Sequence, residues 1–194
     1  MHLSQFPRRI YTPYATPIEP MHKLSKALKA DVNLWIKRDD MLGLTGGGNK
    51  TRKLEFVIAD ALAQGADTIV TCGAVQSNHC RLTLAACVKE GLHCALVIEE
   101  RVPGSYKEDA SGNNYLFRLL GAEQIVPCGL GEAPEGMEKL AEELRAKGRK
   151  VYVVPGGASN AIGATGYAAC AQEIQVIFKD FFVLEHYFVM KERA

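Results

Sequence analysis

The middle of the chain alternates between two spacings of apolar residues. From Lys50 onward, apolar positions recur at three- and four-residue steps and stop before Gly65, which predicts a helix. Short, nearly continuous apolar runs then alternate with amphipathic segments. The runs predict strands at 68–72, 93–98, 124–127 and 151–154, and the segments between them predict helices at 77–90, 113–120 and 135–147.

This alternation has the size and composition of repeated strand–helix–strand units. Apolar strands between amphipathic helices are typical of a parallel sheet that is covered by helices on both faces. The sequence therefore predicts one α/β domain built around four parallel strands. A short strand at 33–37 and a last helix at 160–174 fall outside this unit.

The two ends of the chain differ from this central region. Four prolines, Pro7, Pro13, Pro17 and Pro20, predict that residues 1–30 form no regular element. After Gln175 the sequence becomes aromatic-rich, with four of the seven phenylalanines and no glycine or proline. Two interpretations of 176–194 stay open: a last amphipathic helix or buried strand pair, or a foreign tail that joins where a longer chain was interrupted. We expect its phenylalanines to form apolar surface that seeks a partner.

The composition argues against nucleic-acid-binding, membrane-spanning and secreted proteins. Among 194 residues, 23 Lys and Arg balance 22 Asp and Glu, and this net charge of +1 argues against a nucleic-acid-binding protein. No run of about 18 apolar residues predicts a membrane helix, and the first residues lack the apolar stretch of a signal peptide. Six cysteines without a CxxC spacing argue against a metal site and suit buried thiols in a reducing compartment. We therefore expect a cytoplasmic protein.

The first candidate site is the segment Gly46-Gly47-Gly48-Asn49-Lys50. Glycines before a helix let a ligand approach the backbone, and the helix N-terminus attracts anions. A phosphate-binding P-loop requires glycine directly before its lysine, and Asn49 at that position disfavours nucleotide hydrolysis. Two interpretations remain: a plain turn with a solvated lysine, or a partly desolvated Lys50 that forms a Schiff base with a carbonyl compound.

Two further strand-to-helix loops carry polar residues. Ser77 is a natural N-cap, and the first N–H groups of the helix behind it are suited to a carboxylate or phosphate. The alternative is that Ser77 only caps the helix, with Asn78 and His79 as exposed first-turn residues. The loop at 155–160 ends the fourth strand and predicts a hinge or a second wall of a shared cleft, since ligands bind beyond the carboxyl ends of parallel strands.

Three segments together resemble a known family. They are IKRDDMLGLTGGGNKTRKLEF, CGAVQSNHCRLTLAA and PGGASNAIGATGY. From about residue 17 to about residue 174 the chain is similar to the D-cysteine desulfhydrase and 1-aminocyclopropane-1-carboxylate deaminase family of pyridoxal-phosphate enzymes. The resemblance implies the tryptophan-synthase-β type of α/β fold, a three-layer open parallel sheet, here with the second, larger domain incomplete. It divides the chain into 1–50, the start of the large domain with the lysine loop; 51–160, the small α/β domain; 161–175, a return helix; and 176–194, an atypical tail.

The same resemblance assigns roles to five residues. It implies that Lys50 holds pyridoxal 5′-phosphate as a Schiff base and acts in catalysis, with Asn49 beside it. Asn78 matches the asparagine that hydrogen-bonds the 3′-oxygen of the cofactor. Ser77, Asn78 and His79 match the loop that receives the substrate carboxylate, and Ser77 is also a candidate for proton transfer.

The implied activity is β-elimination from a small amino acid, most like the conversion of D-cysteine to pyruvate, hydrogen sulfide and ammonia. L-cysteate sulfo-lyase and 1-aminocyclopropane-1-carboxylate deaminase activities are the alternatives, and a non-catalytic α/β binding module is the alternative class. No nucleic-acid or membrane partner is expected, and the resemblance implies a homodimer for a full-length form. The glycine-rich phosphate-binding loop of the family has no counterpart in 176–194, so we expect the 194-residue chain alone to bind the cofactor weakly and to be a poor enzyme.

Overall fold

Residues 2–28 and 32–178 are described by a computed structural model. Three short 3₁₀ turns occur at Leu3–Gln5, Asp39–Met41 and Gly156–Ala158. The helices and strands in chain order are β1 (Ile18–Pro20), α1 (His22–Ala27), β2 (Trp35–Lys37), α2 (Lys50–Ala63), β3 (Thr68–Ala74), α3 (Asn78–Glu90), β4 (His93–Glu99), α4 (Asn113–Leu119), β5 (Gln124–Cys128), α5 (Ala133–Ala146), β6 (Val151–Val154) and α6 (Ala161–Ile177).

A four-stranded parallel sheet with the order β5-β4-β3-β6 lies at the centre. Successive residues of a strand point to opposite faces, and both faces of this sheet are buried. Ile69 of β3 packs into the core formed with α2, α3 and α4, whereas Val70 packs against α5. The predicted three-layer α/β fold and its four parallel strands are therefore confirmed.

Glycine ends the helices where the sequence predicts. The clearest case is α3, whose C-cap Gly91 adopts a left-handed φ of 71° and donates its N–H to the carbonyl of Cys87. The N-terminal end of the same helix is capped by Ser77, whose Oγ accepts from the N–H of Cys80 at 3.2 Å. Both predicted ends of this helix are confirmed, and both depend on residues next to the helix in sequence.

The prediction that residues 1–30 contain no regular element is wrong. β1 pairs antiparallel with β2, with Pro20 opposite Trp35, and α1 follows directly. Proline lacks an N–H group but keeps its carbonyl, and the N–H of Arg38 donates to the carbonyl of Pro17 at 2.9 Å. A two-stranded ribbon consists only of edge strands, where a missing donor is tolerated.

The last helix continues past the predicted end at residue 174. It runs to Ile177 and so includes the start of the aromatic-rich stretch. The ring of Phe178 then packs edge-on against Trp35, with ring centroids 5.9 Å apart. Of the four phenylalanines expected to form apolar surface, Phe181, Phe182 and Phe188 lie outside the described residues, as does the rest of 179–194.

A buried arginine joins the N-terminal segment to α2 and α6. The side chain of Arg52 is 2% exposed and forms ion pairs with Asp39 and Glu173, each at 2.8 Å. Glu173 also pairs with Lys37 at 2.8 Å. Burial alone would raise the pKa of Glu173, but hydrogen bonds from Arg52 and Lys37 outweigh burial and lower the pKa. At Gly166 of α6, a Cβ atom would lie 2.3 Å from the carbonyl oxygen of Arg52, so α6 and α2 require glycine at this contact.

Replacing Arg52 by Met should lower the free energy of unfolding by about 3 kcal/mol, because Asp39 and Glu173 would lose a buried partner. Urea unfolding measures this loss. Arg149→Met is the matched control, since its ion pair with Glu123 is partly exposed and such pairs contribute about 0–1 kcal/mol. Equal losses in the two variants would contradict a special role for the buried network.

Candidate active site

The three predicted loop segments meet in one cleft of about 350 Å³ at the carboxyl ends of β3 and β6. Its walls include Lys50, Cys72, Gly73, Ala74, Ser77, Asn78, His79, Gly156 and Gly157. Parallel strands bring their carboxyl ends to one edge of the sheet, and the loops that follow them therefore converge. The 155–160 loop forms a second wall of the cleft, as predicted.

Glycine is required in the loop that leads to Lys50. Gly46, Gly47 and Gly48 have φ angles of 72°, 67° and 123°. A Cβ atom on Gly47 would lie 2.1 Å from the carbonyl oxygen of Asp40, so this backbone contact excludes any larger residue. The loop places Lys50 at the first position of α2, where its Nζ donates to Asn49 Oδ1 at 2.9 Å.

The first turn of α3 presents backbone donors to the cleft. The Ser77 cap uses the N–H of Cys80, and the carbonyl of Ser77 accepts from the N–H of Arg81. Within the described residues, the N–H groups of Asn78 and His79 are left as first-turn donors that neither the cap nor the helix uses. Such groups, together with the helix dipole, favour an anion such as a carboxylate.

His79 is buried, contrary to the alternative that made it an exposed first-turn residue. The hydroxyl of Thr71 donates to the carbonyl of Val154 at 2.8 Å and lies 2.8 Å from His79 Nε2. Because a hydroxyl has one proton, Thr71 must accept the second bond, so Nε2 carries the hydrogen. Burial, and then the charges of Lys50 and Lys53, lower the pKa of His79 to about 3. The imidazole is therefore neutral, and its hydrogen bond to Thr71 connects α3 to β3 and, through Thr71, to β6.

Several residues that line or support the cleft are not predicted from the sequence. Arg81 hydrogen-bonds Asn78, Asn113 and Gly47, and its spacing of three residues from Asn78 on a helix was the only available signal. Glu99 and Arg101 reach the cleft from the end of β4. Cys72 also lines it, and burial raises the pKa of its thiol, which remains protonated at neutral pH.

Other kinds of site find no support in the part of the chain that the structure describes. No group of three or more His, Cys, Asp or Glu residues is placed to hold a metal ion among residues 2–28 and 32–178. No helix in these same ranges is long and apolar enough to cross a membrane. The six cysteines are free thiols, five of them buried and Cys128 partly exposed.

Comparison with known proteins assigns the chain to a family. Residues 11–189 match the pyridoxal-phosphate dependent enzyme family, and the chain belongs to it. Relatives include D-cysteine desulfhydrases from Yersinia enterocolitica, 47% identical, and Serratia proteamaculans, 46% identical; each match covers 89% of this chain and 52% of the relative. The chain therefore spans about half the length of the curated relatives it matches.

Solved structures give the same assignment of the fold. The crystal structure of an ACC deaminase homologue superposes with a TM-score of 0.78 and 39% identity, over 90% of this chain and 54% of that one. A pyridoxal 5′-phosphate-dependent aspartate racemase, at 20% identity and a TM-score of 0.65, shares the fold.

The residues of the cleft fit the aldehyde end of pyridoxal phosphate. A primary amine, Lys50 Nζ, lines the cleft together with two glycines: a Cβ atom on Gly157 would lie 3.4 Å from Lys50 Cε, and one on Gly156 would lie 3.3 Å from Cys72 Sγ. A side chain at Gly157 would take up space beside the Lys50 side chain. Asn78 and the N-terminus of α3 supply polar groups to the same cleft.

The neutral, buried His79 predicts a stability that falls in acid. Its pKa is about 3 in the folded chain against 6.5 as the ordinary value, so below about pH 6.5 the unfolded state binds the extra proton. Stability is then lost as the pH falls from about 6.5 towards 3, by up to about 1.4 kcal/mol per pH unit from this group. Urea unfolding between pH 5 and 7 measures the slope.

His79→Gln keeps an N–H donor for Thr71 but cannot titrate, so this variant should lose that part of the slope. His93→Gln, at an exposed position, serves as the control and should keep it. An unchanged slope in His79→Gln would mean that another group causes the acid sensitivity.

Proposed function

We propose that the protein formed by this chain catalyses pyridoxal-phosphate-dependent β-elimination from D-cysteine, with pyruvate, hydrogen sulfide and ammonia as products. The observation that carries the proposal is the position of Lys50 in one cleft with the N-terminus of α3. The names of relatives that are 42–47% identical support D-cysteine as the substrate.

The α3 N-terminus is proposed to bind the substrate carboxylate. Two N–H groups, of Asn78 and His79, and the positive end of the helix dipole favour an anion there. The His79 ring contributes no charge, because its pKa is about 3. Substrate orientation would therefore depend on backbone donors, whose positions the Ser77 cap and the His79–Thr71 hydrogen bond fix.

Lys50 is proposed to accept the proton from Cα of the substrate. Bound pyridoxal phosphate supplies an electron sink for the charge that develops at Cα. Asn49, which accepts a hydrogen bond from the Lys50 amine, would hold that amine near Cα. Hydrosulfide leaves from Cβ, and the enamine that departs hydrolyses to pyruvate and ammonia.

Ser77 is the proposed second catalytic residue. Its Oγ accepts from the N–H of Cys80, and its hydroxyl hydrogen is shared between the Cys80 thiol and whatever acceptor the cleft holds. Gly73 lies against this hydroxyl, since a Cβ atom there would be 2.3 Å from Ser77 Oγ. The contact fixes the hydroxyl at the edge of the cleft, where it is suited to proton transfer.

A second candidate activity is deamination of 1-aminocyclopropane-1-carboxylate, supported by the similarity to the ACC deaminase homologue. L-cysteate, which would release sulfite in place of hydrosulfide, and a non-catalytic binding module remain as further alternatives. The free thiols support a reducing, cytoplasmic location, and the family resemblance supports a homodimer for a protein of full length.

Borohydride trapping tests the cofactor lysine. In a polypeptide that carries this chain at the full length of its relatives, incubation with pyridoxal phosphate, reduction and peptide mapping should label Lys50, because its amine stands in the cleft. Lys50→Ala should lose the label and the visible absorption band of the Schiff base. Lys53→Ala is the matched control, one turn further along α2, and should keep both. Labelling of Lys53 or Lys37 in the unaltered chain would overturn the proposal.

Ser77→Ala should lower hydrogen sulfide release strongly while costing only about 1 kcal/mol of stability, the usual contribution of an N-cap. The assay uses a polypeptide that carries this chain at the full length of its relatives and compares D-cysteine, L-cysteate and 1-aminocyclopropane-1-carboxylate. Ser77→Asn is the control that keeps an N-cap acceptor but lacks the hydroxyl, so it should keep stability and lose activity as Ser77→Ala does. Restored activity in Ser77→Asn would show that Ser77 acts only as a capping residue.

A further inference from the structure

Arg81 connects three parts of the candidate site. Its Nη1 donates to Asn78 Oδ1 at 3.1 Å and to Asn113 Oδ1 at 2.8 Å, while its Nη2 donates to the carbonyl of Gly47 at 3.2 Å. One guanidinium therefore joins the first turn of α3, the start of α4 and the glycine loop before Lys50. None of the roles proposed above uses this residue.

The charge of Arg81 fixes which way two carboxamides point. A guanidinium has donors only, so the atoms that it contacts on Asn78 and Asn113 must be oxygens. The nitrogen of Asn113 then donates to the carbonyl of Gln76 and to Asn78 Oδ1, each at 2.8 Å. Asn78 Oδ1 thus accepts two hydrogen bonds from outside the cleft, and its amide nitrogen is the end left to donate to a ligand.

Asn113 is itself held in place by Gln76. The backbone N–H of Asn113 donates to Gln76 Oε1 at 2.8 Å, and Gln76 Nε2 donates to the carbonyl of Ser111 at 3.1 Å. Gly112 has a φ of 70°, and a Cβ atom there would lie 2.7 Å from Gln76 Oε1. The start of α4 therefore closes against Gln76, which keeps the Asn113 carboxamide within reach of both Arg81 and Asn78.

We propose that Arg81, with Asn113, is a positioning residue that makes Asn78 an obligate hydrogen-bond donor to an acceptor oxygen in the cleft. A carboxamide without these two bonds can rotate and present its oxygen instead, which would repel a negatively charged ligand atom. The bond from Nη2 to the Gly47 carbonyl holds the guanidinium itself in the orientation that reaches Asn78. The proposal rests on the proposed function, in which the 3′-oxygen of pyridoxal phosphate is the acceptor.

The orientation is testable without any ligand. In the ¹⁵N-labelled chain, the side-chain amide protons of Asn113, which donate to two acceptors, should exchange with solvent at least tenfold more slowly than those of Asn78. Arg81→Met should remove this difference. Equal exchange rates in the unaltered chain would overturn the inferred orientation, whatever the protein's activity.

Measurements of cofactor affinity distinguish a role of Arg81 in orienting Asn78 from a role in stabilising the fold. In a polypeptide that carries this chain at the full length of its relatives, with pyridoxal phosphate as the probe, Asn78→Ala and Arg81→Met should each weaken binding about tenfold or more, because each loses a hydrogen bond to a charged group or the residue that positions it. The double variant should be no weaker than Asn78→Ala alone, because Arg81 acts through Asn78. Additive losses would overturn the positioning role.

Controls separate this inference from the proposed function. Arg118→Met, on the neighbouring helix α4, removes a similar side chain outside the network and should leave affinity unchanged. If a polypeptide that carries this chain at the full length of its relatives fails to form a Schiff base at Lys50, the proposed function and the positioning role both fall, while amide exchange still decides the orientation. If Lys50 is labelled but the two losses add, only the positioning role falls.

Discussion

The parallel pairing of β3 with β4 and β6 is the constraint on which the rest of the structure depends. Because the three strands run in one direction, the loops that follow them emerge at one edge of the sheet. The Ser77 turn, the 156–157 loop and the end of β4 consequently surround one space, which residues distant in sequence line together. Lys50 reaches the same space from α2, which packs on the sheet through its apolar face.

The domain buries two basic side chains, Arg52 and His79, in two different ways. Arg52 keeps its charge in the interior because two carboxylates surround it, which offsets the cost of desolvation. His79 has no such partner, and burial leaves it neutral. The ion pairs of Arg52 hold three segments of the chain together, whereas neutral His79 holds the first turn of α3 through its hydrogen bond with Thr71.

Local features of the chain could be predicted from sequence, because their causes lie within a few residues. The Ser77 cap, the Gly91 end and the apolar strands belong to this group. The Arg52–Glu173 pair joins residues 121 positions apart, and the Arg81–Asn113 bond joins residues 32 apart. Neither pair leaves a local pattern. The prolines around β1 indicate missing donors, but a proline carbonyl still accepts, as Pro17 does from the N–H of Arg38, so the ribbon forms where the sequence predicts none. The roles assigned to Lys50, Asn49, Ser77, Asn78 and His79 remain predictions.

The separation between Arg52 and Glu173 has a consequence for biosynthesis. A ribosome completes α2, β3 and the following units long before it adds residue 173, since the pair is 121 positions apart. Until then, Asp39 is the one carboxylate of the Arg52 ion pairs that has been synthesised. Burial of a guanidinium with only one of its two carboxylate partners is costly, so we expect the Arg52 side chain to stay in contact with water and α2 to pack incompletely against the rest of the domain. The α/β units can form locally during synthesis, whereas the contacts between α2 and α6 can form only after residue 173 has been added.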